Sequence, residues 1–262
     1  MCKVIAVANS KGGVGKTTSA ANLGFGLAKK GKKVLMIDLD PQGNLSQSLG
    51  IKEPYELECS LVSVLEKVIN NKVINDKEAL FHHEEGLDLI PGNIELSGLE
   101  NMLERVIARE KILGAYLEQV KQNYDYVIID CMPSLSKLTF NALCCADTIL
   151  IPVQAAYLPM RGLQQLIQTI ANAKRWINPK LEIEGVLITM VDTRCNNTKE
   201  IIEKVRQAYG NYVCIFDTFI PKSVRLEEVA ATGMSIYTYA PKSKPALAYE
   251  ALTEEVLSHE KI

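Results

Sequence analysis

The chain has 262 residues, and its 29 lysines and arginines against 31 aspartates and glutamates give a formal net charge of −2. Hydrophobic residues make up 47% and charged residues 23%, a composition that is typical of globular proteins and excludes disordered or collagen-like chains. A near-neutral chain is not basic over its whole surface, so any contact with nucleic acid would be confined to one face. None of the seven cysteines forms a C-x-x-C pair, so we expect reduced thiols rather than a metal site.

No segment predicts export or membrane insertion. The amino terminus lacks a charged leader followed by a long apolar stretch, and no run of about 18 apolar residues occurs. We therefore expect a soluble, cytoplasmic protein.

Short apolar runs alternate with segments of helical spacing along the chain. The predicted strands are 4–8, 34–37, 87–90, 126–129, 148–153, 183–189 and 213–216, and the predicted helices are 16–30, 60–70, 94–122, 135–145, 161–176, 198–209 and 246–258. Strands that are apolar on both faces and alternate with helices indicate a mostly parallel, doubly wound sheet with helices on both faces. The acidic stretch 53–85 is the least regular and is interpreted as an excursion from the sheet. We expect residues 1–262 to form one α/β domain.

A glycine-rich segment joins the first predicted strand to the first predicted helix. It reads Ser10-Lys11-Gly12-Gly13-Val14-Gly15-Lys16-Thr17-Thr18. Glycines let backbone N–H groups point inward at phosphate oxygens, and the helix N-terminus adds partial positive charge. Lys16 would neutralise the β- and γ-phosphates, and the Thr17 hydroxyl would ligate Mg²⁺. The alternative, a glycine-rich turn that binds nothing, is disfavoured by the flanking strand and helix.

Lys11 departs from the usual phosphate-loop pattern, because Ser10 holds the first glycine position and a second lysine follows it. Two lysines in one loop repel each other unless a highly negative ligand lies between them. Lys11 could point to solvent, reach a γ-phosphate in its own subunit, or reach one across a dimer interface.

Three aspartates lie at the ends of apolar strands, where open α/β sheets bind their ligands. Asp38 and Asp40 are two residues apart on an extended segment and so point to the same side. Beside a phosphate loop they could orient magnesium-bound and attacking waters, or they could simply cap the next turn. Asp130 ends a third apolar strand and would hold the water shell of Mg²⁺ opposite Thr17.

These motifs resemble those of the ParA/MinD group of ATPases. The sequence KGGVGKTT at 11–18 is similar to the deviant Walker A box of that group, and DLDPQGN at 38–44 to its second nucleotide motif. Segments 151–154, 188–194 and 220–228 resemble looser motifs, so the likeness extends from residue 3 to about residue 258. It implies a P-loop NTPase fold, Mg²⁺-dependent hydrolysis of ATP, and an ATP-sandwich homodimer.

The resemblance also implies roles for single residues. Lys11 would reach the nucleotide of the partner subunit, Asp40 would position the hydrolytic water, and Asp38 would support the magnesium site with Thr17 and Asp130. The implied catalytic set is Lys11, Lys16 and Asp40, and the implied nucleotide-binding set is Lys11, Gly12, Gly13, Val14, Gly15, Lys16, Thr17, Thr18, Pro221 and Ser223. Two positions depart from the pattern: Met132 replaces a proline after Asp130, and Ser223 replaces an asparagine near the adenine.

The resemblance further implies a DNA partner. Partition ATPases of the Soj type bind DNA without sequence preference as ATP-bound dimers, and the matching positions here are Arg194 and Arg225, with Lys222 beside the latter. A few cations suffice because phosphate contacts carry non-specific affinity and a dimer doubles them. Each could instead be an ordinary solvated cation. The implied function is partition of a plasmid, integrative element or chromosome on the nucleoid, with hydrolysis stimulated by a centromere-binding, ParB-like protein.

Three alternatives share the phosphate loop. A cargo- or membrane-positioning ATPase of the MinD type would act without DNA, but its membrane form needs a basic amphipathic carboxy-terminal helix. Residues 251–262 carry more acids than lysines, so we expect no membrane contact. An iron–sulfur reductase needs cysteines that meet at a dimer axis, and Cys131, Cys144 and Cys145 lack a recognised spacing for this. A small-molecule kinase leaves Lys11 unexplained.

Overall fold

The computed structural model describes residues 2–75, 77–134, 136–155, 160–192, 203, 205–207, 209–210 and 212–259, with the backbone alone at 160–166. Within these residues eight strands form one sheet in the order β3-β4-β2-β5-β1-β6-β7-β8. They are β1 (Lys3–Val7), β2 (Val34–Leu39), β3 (Phe81–His83), β4 (Leu87–Ile90), β5 (Tyr126–Cys131), β6 (Thr148–Gln154), β7 (Glu182–Val191) and β8 (Ile215–Pro221). All pairs are parallel except β3 with β4. The predicted fold class is confirmed.

Helices cover both faces of this sheet. They are α1 (Lys16–Lys29), α2 (Asn44–Ser48), α3 (Leu61–Ile69), α4 (Leu96–Met102), α5 (Ile112–Val120), α6 (Lys137–Cys145), α7 (Met160–Trp176), α8 (Val224–Ala230), α9 (Ile236–Tyr239) and α10 (Lys244–Ser258). On β1, Ile5 and Val7 pack against α1 and α10, whereas Val4 and Ala6 belong to the core formed with α3 to α7. Because both faces are covered, successive residues of one strand are buried alike.

The prediction of one helix over 94–122 is wrong. The segment holds α4, two 3₁₀ turns at Leu103–Arg105 and Arg109–Lys111, and α5. The apolar spacing that buries Leu99 and Leu103 fails at Ile107, which is 93% exposed. The next residue, Ala108, has φ +52°, a left-handed conformation that interrupts a right-handed helix.

Other boundaries shift as well. The last strand lies at Ile215–Pro221 rather than 213–216, because its pairing with β7 continues through Phe219 to Pro221. Its polar residues at 217 and 218 donate their backbone N–H groups to a carboxylate of α10. The stretch 53–85 contains the predicted helix, now α3, and the edge strand β3, which the sequence did not reveal. The predicted helix 198–209 lies mostly outside the described residues.

The carboxyl ends of β1, β2 and β5 lie side by side near the middle of the sheet. In register, Asp38 of β2 pairs with Asp130 of β5, and Asp130 pairs with Val7 of β1. The chain leaves β1 at this edge, passes through the glycine-rich loop and enters α1. The fold therefore brings the loop and the strand-end acids together.

Candidate nucleotide-binding site

The loop between β1 and α1 has the backbone of an anion-binding nest. Gly13 has φ +70° and Gly15 has φ +83°, in the left-handed region that favours glycine. Gly15 directly precedes α1, and no side chain among the described residues caps the helix there. The free N–H groups of the first helical turn, with their partial positive charge, therefore face whatever the loop encloses.

Lys16, the first residue of α1, is folded back into this loop. Its Nζ atom donates a hydrogen bond to the carbonyl oxygen of Lys11 at 3.0 Å, and only 7% of Lys16 is exposed. Burial lowers the pKa of Lys16, while the carboxylates of Asp130 and Asp40 raise it in part. The buried ammonium group of Lys16 therefore lies close to the carboxylates of Asp130 and Asp40 beside the loop.

Asn9 fixes the start of the loop. Its Nδ2 atom donates to the carbonyl oxygen of Pro152 at 2.7 Å, and its Oδ1 atom accepts the N–H of Lys11 at 3.0 Å. Lys11 therefore binds to the rest of the loop through both its backbone groups. The role predicted for its side chain involves a second subunit and stays a prediction.

Asp130 is the most unusual group of the site. It is 1% exposed, and among the described residues neither carboxylate oxygen has a hydrogen-bond partner. Burial raises the pKa of Asp130 well above its ordinary value and Asp38 raises it further, against smaller opposing effects of the Thr17 hydroxyl and Lys16. An unpaired buried carboxylate is unfavourable unless a cation compensates it. Carboxylate and hydroxyl oxygens suit Mg²⁺, so Asp130 and Thr17 fit that ion.

Asp38 lies beside Asp130 but is fully hydrogen-bonded. One oxygen accepts the N–H of Asp40 at 3.2 Å, and the other accepts the N–H and the hydroxyl of Ser46 at 2.8 and 2.7 Å. Burial raises the pKa of Asp38 to about 7, although these hydrogen bonds oppose the shift. Asp38 therefore holds the turn after β2 in place, and that turn carries Asp40.

A cleft of about 430 Å³ opens from the loop. Asp40 and α2 form one wall, α1 forms the floor, and the end of β7 with α8 forms the other wall. The lining residues from the loop and α1 are Gly12, Gly13, Gly15, Lys16, Thr17, Thr18, Ala21, Asn22 and Phe25, and those from the walls are Asp40, Asn44, Gln47, Ser48, Pro133, Met190, Leu226, Val229, Ala230 and Met234. The lining combines the Lys16 cation and polar side chains with apolar ones such as Phe25 and Val229, a mixture that suits a nucleotide.

The residues predicted near the base and on the DNA face lie farther along the same edge. Pro221 and Ser223 line a neighbouring cavity of about 420 Å³ rather than the main cleft. Ser223 caps α8 by accepting the N–H of Arg225 at 3.3 Å. Lys222 and Arg225 are exposed around this cap. Arg194 lies outside the described residues.

Sequence reasoning missed the far end of the cleft. Thr18, Asn22 and Phe25 follow one another along one face of α1, and this i, i+4, i+7 spacing was the available signal. The amide of Asn22 donates to the carbonyl oxygen of Thr18 at 2.8 Å and accepts the N–H of Ile236 at 3.2 Å. No sequence pattern indicates that Met190 lines the cleft, because its position depends on a left-handed backbone conformation (φ +53°) that a methionine rarely adopts.

Among the described residues, no helix combines the length and the apolar character needed to cross a membrane.

Comparisons with known proteins agree with this geometry. A family model described as an AAA domain matches residues 2–183. The sporulation initiation inhibitor protein Soj of Bacillus subtilis is 45% identical over 259 residues, covering 99% of this chain and 100% of Soj. The chromosome partitioning protein ParA of Caulobacter vibrioides is 40% identical over 261 residues, covering 99% and 95%.

A solved structure is also similar to this chain over its whole length. The cobyrinic acid a,c-diamide synthase of Mycobacterium smegmatis, solved with a bound ATP analogue and magnesium, superposes with a TM-score of 0.86 at 36% identity. The match covers 100% of this chain and 96% of that one. Family model, relatives and fold agree with the motifs, and the chain belongs to the ParA/Soj-type proteins of the ParA/MinD group.

Proposed function

We propose that the chain is an ATP-hydrolysing dimerisation switch that segregates DNA. The observation that carries this proposal is the buried, unpartnered carboxylate of Asp130 beside Thr17 and Lys16, which fits a magnesium–phosphate group. The partition names of the Soj and ParA relatives support the role in segregating a plasmid, integrative element or chromosome. The cofactors would be ATP and Mg²⁺.

The residues of the cleft would divide the chemistry among them. Lys16 and the N–H groups of the nest would bind the β- and γ-phosphates, exchanging the internal contact with Lys11 for a phosphate contact. Thr17 and Asp130 would hold Mg²⁺, and the ion would neutralise negative charge on the phosphate oxygens. Asp40 lines the cleft and would orient the attacking water, while Asp38 fixes the turn that carries Asp40.

The switch would act through assembly. ATP would close a sandwich homodimer in which Lys11 reaches the nucleotide of the other subunit, and the dimer would bind DNA non-specifically through Lys222, Arg225 and Arg194. Hydrolysis, stimulated by a ParB-like centromere-binding protein, would open the dimer. The protein would then work in the cytoplasm on the nucleoid, without a membrane partner.

The test is DNA co-sedimentation with random-sequence duplex in the presence of Mg²⁺ and either ATP or ADP. We expect binding with ATP that is lost in Lys11→Ala and in Arg225→Ala. Arg105→Ala is the matched control, because Arg105 is equally an exposed arginine but follows α4 on the other face of the sheet. If light scattering shows the ATP dimer but no nucleotide supports DNA binding, the DNA role is wrong, and a MinD-type cargo-positioning role replaces it.

A further inference from the structure

Thr189 connects β7 to the phosphate loop. Its Oγ1 atom donates a hydrogen bond to the carbonyl oxygen of Val14 at 2.8 Å, across 175 positions of sequence. Both residues are 2% exposed, so this contact is shielded from solvent. Thr189 also packs against the next loop residue, since a Cβ added to Gly15 would lie 3.9 Å from its Cβ and Cγ2 atoms.

This hydrogen bond fixes the orientation of one peptide plane. The peptide bond is planar and trans, so the carbonyl of Val14 and the N–H of Gly15 point in opposite directions. With the carbonyl held toward β7, the N–H of Gly15 is turned away from Thr189. Gly15 lines the cleft, so an N–H that points away from Thr189 would be directed at a phosphate bound there.

The end of β7 is itself held firmly. The carbonyl oxygen of Thr189 accepts the N–H of Ala155 at 3.0 Å. The following residue, Met190, has φ +53° and lines the cleft. A methionine keeps a left-handed backbone only when its surroundings impose it. One short segment therefore directs Thr189 at the loop and Met190 into the cleft.

We propose that Thr189 is a positioning residue for the nucleotide site, which orients the Gly15 N–H toward the phosphate next to Lys16. It would act on nucleoside di- and triphosphates alike, because it sets the loop rather than contacting the terminal phosphate. The proposal rests on the proposed nucleotide-binding function.

The test compares Thr189→Val, which keeps the shape but removes the hydroxyl, with Thr189→Ser, which keeps the hydroxyl. The dissociation constant of Mg·ADP is measured by calorimetry, and the Gly15 amide is followed by NMR of ¹⁵N-glycine-labelled protein. We expect about ten-fold or greater weakening in Thr189→Val, corresponding to loss of one charge-assisted hydrogen bond. The downfield shift of the Gly15 amide on ADP binding should shrink in that variant. Thr189→Ser should restore both.

Thr253→Val is the control, because Thr253 is a fully buried threonine of α10 whose hydroxyl likewise donates to a backbone carbonyl, that of Tyr249, at 2.8 Å. It should leave ADP affinity unchanged. If the unaltered protein does not bind Mg·ADP, the proposed function fails. If it binds and Thr189→Val shows the same affinity and the same Gly15 shift, the positioning role alone is overturned.

Discussion

Asp38 and Asp130 pair in register on neighbouring strands, yet one carboxylate is fully hydrogen-bonded and the other has no hydrogen-bond partner among the described residues. This difference in hydrogen bonding assigns a separate role to each acid, which the sequence alone does not do. Asp38 is bound into the turn after β2, and Asp130 is available to a ligand. The charge of Asp38 also raises the pKa of the buried Asp130, so a bound cation would stabilise the ionised form of Asp130.

This pair should make ligand stabilisation depend on pH. Burial raises the pKa of Asp38 to about 7 and that of Asp130 well above its ordinary value. The folded protein therefore holds protons that the unfolded chain releases from about pH 4 upward, so these groups lower the free energy of unfolding of the ligand-free protein as pH rises. Mg²⁺ binds ionised carboxylates, so Mg·ADP should raise Tm by several degrees more at about pH 8 than at about pH 5.5.

Thermal unfolding at both pH values, with and without Mg·ADP, measures this difference. Asp130→Asn should remove most of it, because the amide does not titrate. An equal rise in Tm at both pH values in the unaltered protein would contradict the assignment of Asp130 to the metal.

Gly92→Ala should destabilise the acid pair. A Cβ at Gly92 would lie 2.2 Å from the carbonyl oxygen of Asp38, so β2 or the loop after β4 would have to move. We expect a loss of about 3 kcal/mol or more in the free energy of unfolding, as for other overpacked buried sites. Urea unfolding measures it.

Gly98→Ala is the matched control, because an added Cβ there meets no described atom within 4 Å and Gly98 lies inside α4. It should stabilise the protein by about 0.5–1 kcal/mol, since alanine favours the helix. If Gly92→Ala is as stable as Gly98→Ala, the Asp38 turn is not tightly packed against Gly92.

Asp40→Ala should separate binding from hydrolysis. Asp40 lines the cleft, accepts the N–H of Gln42 at 3.0 Å, and acts on Lys16 of the loop through its charge, which raises the pKa of that lysine. We expect ATP affinity to change less than about three-fold, while the hydrolysis rate falls by about 10² or more, as for loss of a group that positions a nucleophile. Phosphate release and binding of a labelled ATP analogue give the two quantities. A parallel loss of both would place Asp40 in binding instead.

Glu255→Ala should weaken the edge strand β8. The carboxylate of Glu255 accepts the backbone N–H groups of Asp217 and Thr218 at 2.9 and 2.8 Å, and these belong to a strand at the end of the sheet. Removing it leaves two unpaired donors on an edge, so we expect about 1–2 kcal/mol of destabilisation and more self-association. Unfolding and size-exclusion chromatography measure these effects.

Glu254→Ala is its neighbour control, because within the described part of the chain Glu254 forms a surface ion pair with Lys30 and no other salt bridge. Such exposed pairs contribute little, so its stability should stay within about 0.5 kcal/mol of the unaltered protein. If both variants behave alike, the carboxylate of Glu255 does not protect the edge.

The sequence predicted the parallel fold and the position of the glycine-rich loop between β1 and α1 correctly, because both depend on local patterns. Apolar runs repeat with strand and helix spacing, and the loop glycines and Lys16 are contiguous. The short helices α2, α8 and α9 span one or two turns, too few for a periodic signal. Contacts such as Thr189 with Val14, or Gly92 with Asp38, join residues far apart in the chain, and nothing local encodes them.

The hydrogen bond from Lys16 to the carbonyl of Lys11 joins the two ends of the phosphate loop to each other. A phosphate bound by Lys16 would replace that carbonyl as its partner, so the affinity for nucleotide would reflect an exchange of one hydrogen-bond partner for another. The released carbonyl belongs to the residue whose side chain is expected to reach the other subunit. In the proposed dimer, nucleotide bound to one chain would therefore remove a contact from the backbone of the residue whose side chain would engage the second chain.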